Sequence, residues 1–333
     1  MRVLTIGDPH FKTNNVKEVK IMCDKIYALI ESSELDLIVV MGDILDRHEH
    51  IHVVPLTESI KFLLKLSTYK ETYVLIGNHD RPNNSDYLSD FHPFNGLKGI
   101  NNLHIIDKVI CREYHNLKFI FAPYVFPGRF QEALDTINLN LNDIKTIFCH
   151  QEFYGTKMGA VVSTIGDKWP LDKSFIISGH IHDYCRPQDN IVYVGTPMQH
   201  AFGDRDDKTV SVWDIFEDKI PDEKRLDLGL IKRLSCNIHC SELLKWIPPP
   251  NYIIRLIING TNSEIKAIMK LDYIKDLRKQ GIKIHYNSVD ELNIGVNKKI
   301  NIDEVKLPYA MRLKSKINNN QELLLLYNKI FSN

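Results

Sequence analysis

Val3-Leu4-Thr5-Ile6-Gly7-Asp8-Pro9-His10 couples a short run of β-branched and aliphatic residues to a sudden stop at Gly, Asp and His. A run of this length without polar alternation is the pattern of a strand buried on both faces. The same pattern recurs at Leu37–Met41, Tyr73–Ile76, Lys118–Ala122, Thr146–Cys149, Phe175–Ile177, Ile191–Val194 and Val210–Ile215. Between the first two runs, Val19, Met22, Ile26, Leu29 and Ile30 mark one face of a helix. A second helix is expected from Pro55 to Leu66, with the proline early in its first turn. Strands alternating with helices predict an α/β fold with helices packed outside a sheet. The strand-rich stretch after residue 118 predicts a second sheet, and so a sandwich.

The chain has 333 residues, room for one large α/β domain and a smaller one. Hydrophobic residues at 44% and charged residues at 25% are ordinary for a soluble globular protein. No apolar run approaches the roughly 18 residues of a membrane span, so none is expected. The amino terminus has no signal-peptide pattern, which predicts a cytoplasmic location. Cysteines 23, 111, 149, 185, 236 and 240 are scattered, as suits reduced thiols rather than a disulfide framework.

The formal net charge is zero, which taken alone argues against a uniformly basic nucleic-acid binder. The zero hides an asymmetry. Residues 219–333 hold 20 Lys or Arg against 12 Asp or Glu, and residues 1–218 hold 22 against 30. Periodicity lapses around residues 217–250, which contain Pro221 and Pro248-Pro249-Pro250. Two domains are therefore expected, 1–218 and 219–333. The second should carry a strand at Tyr252–Ile258, a helix opening near Asn262 or Ser263, a strand at Ile282–Tyr286 and a polar tail with an apolar run at Leu323–Leu326.

The chemistry lies where the strands stop. Five of them end in Gly7-Asp8-Pro9-His10, Gly42-Asp43-Ile44-Leu45-Asp46, Gly77-Asn78-His79-Asp80, Cys149-His150 and Gly179-His180-Ile181-His182. Ligand-binding residues of α/β sheets gather at the carboxyl ends of strands. A lone strand-end histidine is ordinary structure, but five ordered ends delivering Asp, Asn and His are not filler. Carboxylate, amide and imidazole without thiolate suit manganese, iron or zinc in a working site more than a structural zinc.

This ordered set resembles the calcineurin-like metallophosphoesterase superfamily, whose motifs Asp-x-His, Gly-Asp-x-x-Asp, Gly-Asn-His-Asp, a lone His and Gly-His-x-His all stand here within about residues 1–200. The resemblance implies a four-layer α/β/β/α sandwich and two divalent metal ions, Mn²⁺ first, with Fe, Zn or Mg as alternatives. It implies that Asp8, His10, Asp43 and His182 hold one metal. Asp43, Asn78, His150 and His180 would hold the other, with Asp43 bridging. His79 is implied as general acid to the leaving oxygen and Asp46 as its hydrogen-bond partner. The cluster His48-Glu49-His50-Ile51-His52 reads instead as a solvated loop near the cleft mouth, and Cys236-x-x-His239-Cys240 lacks a second ligand pair for zinc.

Within the superfamily, three details resemble the SbcD / meiotic-recombination nuclease branch, in its short phage form. The first motif begins at residue 8 with no leader. Tyr193-Val194-Gly195-Thr196-Pro197 is similar to that branch's Tyr-x-Gly-Ser/Thr-Pro stretch and is followed by Phe202-Gly203-Asp204 and a strand. Roughly 110 residues then follow, where the branch carries an α+β domain that caps DNA. The resemblance implies a DNA exonuclease with single-strand endonuclease activity in break repair, a homodimer, and an SMC-like ATPase partner of the SbcC type, encoded by a phage or virus. Lys298, Lys299, Lys306, Arg312, Lys314 and Lys316 are candidates for phosphate contacts. Departures are Phe11-Lys12, where the branch often has Leu-Gly, and Asp46, where archaeal and eukaryotic members have His. A phosphomonoesterase or small-nucleotide phosphodiesterase of the same fold, and a silent scaffold for the ATPase, are the rival readings.

Overall fold

In a computed structural model, the protein is described over residues 1–48, 50–159, 161–289, 323 and 327. The chain runs β1 (Arg2–Ile6), α1 (Val16–Glu31), β2 (Leu37–Val40), α2 (Val53–Tyr69), β3 (Glu71–Leu75), β4 (Leu103–Ile106), β5 (Ile110–Tyr114), β6 (Leu117–Ala122), α3 (Phe130–Asp135) and β7 (Thr146–Cys149). A two-stranded hairpin, β8 (Lys157–Met158) and β9 (Val161–Val162), precedes β10 (Phe175–Ser178), β11 (Cys185–Gln188), β12 (Ile191–Tyr193), β13 (Val210–Asp214) and β14 (Asp222–Leu226). The chain continues through β15 (Lys232–His239), β16 (Tyr252–Thr261), α4 (Asn262–Ile268), α5 (Asp272–Lys279) and β17 (Lys283–Val289).

Two six-stranded sheets form, in the orders β14-β13-β1-β2-β3-β4 and β11-β12-β10-β7-β6-β5. In the first, β1 through β4 are parallel and β13 and β14 antiparallel. In the second, β6, β7, β10 and β12 are parallel, with β5 and β11 antiparallel at the two edges. The inner faces meet in an apolar layer of Val3, Val39, Tyr73 and Trp213 from one sheet and Phe119, Phe121, Phe148 and Ile177 from the other. Inside it the Tyr73 ring stacks on Phe121, centroids 4.0 Å apart.

Outside the first sheet, α1 and α2 bury Val19, Met22, Ile26, Phe62, Leu63 and Leu66 against Leu4, Ile6, Ile38 and Val74. Outside the second, α3 and the loops around Phe153 and Trp169 cover Ile120, Ile147 and Ile176. The expected α/β/β/α sandwich is present, its fourth layer mostly loop rather than helix. Burial on both faces explains why the interior strands read as unbroken apolar runs.

The contacts divide the chain into two compact units. The first comprises Met1–Cys236, Ile247–Arg255 and Gly281–Lys283; the second comprises Asn237–Trp246, Leu256–Gln280 and the described residues from Ile284 onward. The boundary expected at residue 218 therefore falls inside the first unit, because β14 pairs with β13 from Asp214↔Asp222 to Val210↔Leu226. The strand and helix expected near 252–263 are present as β16 and α4. Thr261 caps α4, accepting from the Glu264 N–H, while the Glu264 carboxylate accepts from the Thr261 N–H. The second unit's buried side chains include Leu243, Leu256, Ile258, Ile274 and Leu277. The six basic residues from Lys298 to Lys316 lie outside the described residues.

Candidate metal centre and active site

Each motif leaves the carboxyl end of a parallel strand. Asp8 and His10 follow β1, Asp43 follows β2, Asn78 and His79 follow β3, His150 follows β7, and His180 and His182 follow β10. The loops after β1 and β2 stay paired, His10 N–H donating to Asp43 O at 3.1 Å and Phe11 N–H to Ile44 O at 2.8 Å. The loops after β7 and β10 are joined by Gly179 N–H to Cys149 O at 3.0 Å.

Three of these side chains sit on left-handed backbone, His10 at φ 43°, Asp43 at φ 48° and His180 at φ 79°. Non-glycine residues rarely adopt that region, and such strain collects at functional sites. The glycines explain their own place in the motifs. A Cβ on Gly77 would lie 2.2 Å from Asp43 Oδ1, and one on Gly42, itself at φ 105°, 2.4 Å from His150 Nδ1. The buried Asp80 carboxylate fastens two loops together by accepting from the N–H groups of Ile44, Leu45 and Gly77 at 3.0–3.2 Å.

The side chains converge in two groups. Asp8, His10 and His182 form one and Asp43, His150 and His180 the other, with the potential ligand atoms of each within 4.8 Å of one another. His10 Nε2 and His182 Nε2 are 2.9 Å apart. Asn78 joins the second group, its Oδ1 lying 3.2 Å from His150 Nε2 and 2.9 Å from His180 Nδ1. Asp43 lies between the groups: Oδ2 is 3.4 Å from His150 Nε2 and 3.9 Å from His10 Nε2. All seven predicted ligands are thus brought together.

Electrostatics makes this a poor resting place for side chains alone. Asp8 Oδ1 is buried with no hydrogen-bond partner. Burial pushes the Asp8 carboxyl up to about 8, with the neighbouring Asp43 charge adding to the effect. Burial also opposes charge on Asp43, but His150, His79 and His10 hold its carboxyl well below the usual range. Burial works against a charged His150 too, yet Asp43 and Asp8 outweigh it and raise the imidazole to about 9. His180 is pushed down to about 3, chiefly by burial and then by His150, and burial likewise holds His10 well below its ordinary value. Neutral imidazoles at His10 and His180 beside buried carboxylates, one oxygen of them unpartnered, fit two divalent cations.

His79 stands at the rim, its side chain 32% exposed. Its N–H donates to Asp43 Oδ1 at 2.8 Å and its Nδ1 lies 2.9 Å from the Asp46 carbonyl. The expected Asp46 partnership therefore runs through the main chain, a correction to the sequence reading. The Asp46 carboxylate instead meets Lys12 Nζ at 3.1 Å and lies 3.7 Å from His10 Nδ1. A carbonyl at Nδ1 makes that nitrogen the donor and leaves Nε2 as the working atom.

Two histidines were missed. His48, read as part of a solvated loop, is half-buried and stacks on His79, centroids 4.7 Å apart and planes at 15°. His52 from the same cluster caps α2, accepting from the Val54 N–H. His200 packs edge-on against His10, centroids 4.9 Å apart, and its Nε2 lies 3.0 Å from the Asp8 carbonyl. No motif flags His200; its only signal is a place shortly after Gly195-Thr196-Pro197. Cys149, beside His150, is fully buried, which pushes its thiol up to about 12. His239 accepts from the Ser241 N–H at the head of the turn Cys240–Lys245.

The family model for calcineurin-like phosphoesterases matches residues 1–184. The chain belongs to that family. It is 40% identical over 277 residues to "Putative phosphoesterase 244L" of Invertebrate iridescent virus 6, covering 81% of this chain and 97% of that protein. It is 38% identical over 305 residues to "Putative phosphoesterase 078R" of Invertebrate iridescent virus 3, covering 87% and 88%. Membership makes this phosphoesterase a divalent-metal hydrolase of phosphate esters. No helix among the described residues is long and apolar enough to cross a membrane.

Proposed function

We propose that this phosphoesterase is a manganese-dependent DNA nuclease of the SbcD type, an exonuclease that also cuts single strands during break processing. The observation that carries the reading is the segment after Gly-His-x-His. Tyr193-Val194-Gly195-Thr196-Pro197 runs directly past the ligands, Thr196 N–H donating to His182 O at 3.1 Å, and leads into His200 against Asp8. The branch-specific stretch thus adjoins the metal ligands instead of lying remote from them.

Two divalent cations held by Asp8, His10 and His182 and by Asn78, His150 and His180, with Asp43 shared, would supply Lewis acidity to the phosphoryl group and acidify an attacking water. The chain's own residues do the rest. Asp43 fixes both ligand groups and the His79 backbone at once. The Asp46 carbonyl holds His79 Nδ1, which leaves Nε2, 4.0 Å from Asp43 Oδ2, to deliver a proton to the leaving oxygen. Asp80 keeps the Asp43 and His79 loops in register.

On this reading the chain works as a homodimer with an SMC-like ATPase of the SbcC type, and residues 219–333 cap the DNA. The viral source of both relatives supports a virus-encoded enzyme acting inside the host cell. The test is manganese-dependent digestion of end-labelled linear DNA, with bis-aryl and mono-aryl phosphates in parallel. Degraded DNA is the expected result. Hydrolysis of aryl esters alone would replace the nuclease with a small-ester phosphoesterase, and no reaction at all would leave a scaffold.

A further inference from the structure

Phe202 lies in the loop that brings His200 to Asp8, half-buried between the exposed Ala201 and Gly203. Three cations surround its ring. The guanidinium carbons of Arg255 and Arg233 lie 4.9 and 5.7 Å from the ring centroid, and Lys283 Nζ lies 5.6 Å from it. Each comes from a different strand, Arg233 on β15, Arg255 on β16 and Lys283 on β17, neighbours in one three-stranded sheet. All four residues belong to the first compact unit.

Arg233 is neutralised by Glu18. Neither Arg255 nor Lys283 has a carboxylate within 4.0 Å among the described residues; Arg255 Nε donates to Ser235 Oγ at 3.0 Å. Cation–π attraction at a half-exposed ring is weak, and like charges gathered there repel. The cluster therefore costs the folded protein something unless an anion answers it. An aromatic ring beside two cations that no described carboxylate pairs is complementary to a base with its adjoining phosphates.

We propose that Phe202, Arg255 and Lys283 form a second binding site, for single-stranded DNA, in which the ring stacks a base and the two cations contact flanking phosphates. The proposal rests on the nuclease reading for its ligand. It adds a place where the strand is gripped, two residues along the chain from His200.

Binding separates the two ideas, because it needs neither metal nor turnover. The probe is a fluorescein-labelled oligothymidine without metal, followed by anisotropy across a salt series. F202A should weaken binding by about 5- to 150-fold, the range for loss of one stacked base. R255Q/K283Q should weaken binding and flatten the plot of log affinity against log salt by about 1.4, two single-strand phosphate contacts at about 0.7 each. The control K266Q/K270Q removes two exposed charges from elsewhere and should leave the slope within about 0.3. Thermal melting shows each variant folded. Binding and slopes equal to those of the unmodified protein, or no binding by the unmodified protein, overturn the site. DNA that is bound but never cut overturns the nuclease reading and leaves this site standing.

Discussion

The interior and the edges of the two sheets make different sequences and do different work. Interior strands β1, β2, β3, β6, β7, β10, β12 and β13 are buried on nearly every residue and read as continuous apolar runs. The edges are β4, β5, β11 and β14, and β5, β11 and β14 are mixed and largely accessible, as in Ile-Cys-Arg-Glu-Tyr and Cys-Arg-Pro-Gln. Every predicted ligand follows an interior strand and none follows an edge. A cluster of buried charges needs rigid walls on all sides, and an edge strand has a wall on one side only.

The comparison can be broken at several depths. Asp43→Asn should do most: it removes the charge shared by both ligand groups, so hydrolysis of a bis-aryl phosphate should vanish and metal binding by calorimetry should fall to one site or none. His79→Asn should cut hydrolysis of the same bis-aryl phosphate by about 10²–10⁴-fold with metal stoichiometry unchanged. An unimpaired variant would remove His79 from the mechanism. Gly77→Ala, which drives a methyl into Asp43, should reduce metal affinity or rate by about 10–100-fold. Glu113→Ala on edge strand β5 should alter neither rate nor melting temperature, and a loss comparable to that of Gly77→Ala would undo the distinction between interior and edge.

The buried charges also set a pH dependence. Asp8, raised to about 8, and His150, raised to about 9, both hold a proton at pH 7 in the protein without metal. A cation must displace those protons, so metal affinity should climb from pH 6 through pH 9 and level off only above about pH 10. Calorimetry in buffers of different ionisation enthalpy reads the proton release directly. An affinity flat over that range would contradict the raised values.

Legibility follows the same division. In the two large sheets, all eight strands read from the sequence are interior, and the four missed are the edges. An apolar run announces burial on two faces, whereas the accessible edges β5, β11 and β14 carry no such mark, and β4, though mostly buried, is a short Leu-His-Ile-Ile broken by its histidine. β14 and β15 hid in the stretch taken for a boundary for that reason. The ligands were legible because each is a polar residue directly behind an apolar run. His48 and His200 were not, since each lies well along a loop, far past the ends of β2 and β12, and only packing against His79 and His10 reveals them. The Asp46 contact was legible as a neighbour, but not as a main-chain contact, because sequence patterns speak of side chains.

Cys149 adjoins the candidate metal ligand His150 yet is sealed in the core, with almost no thiolate at physiological pH. No sulfur takes part in the ligand set. Alkylating agents and disulfide exchange therefore find no accessible thiol at Cys149, and thiol chemistry leaves the centre of this enzyme untouched.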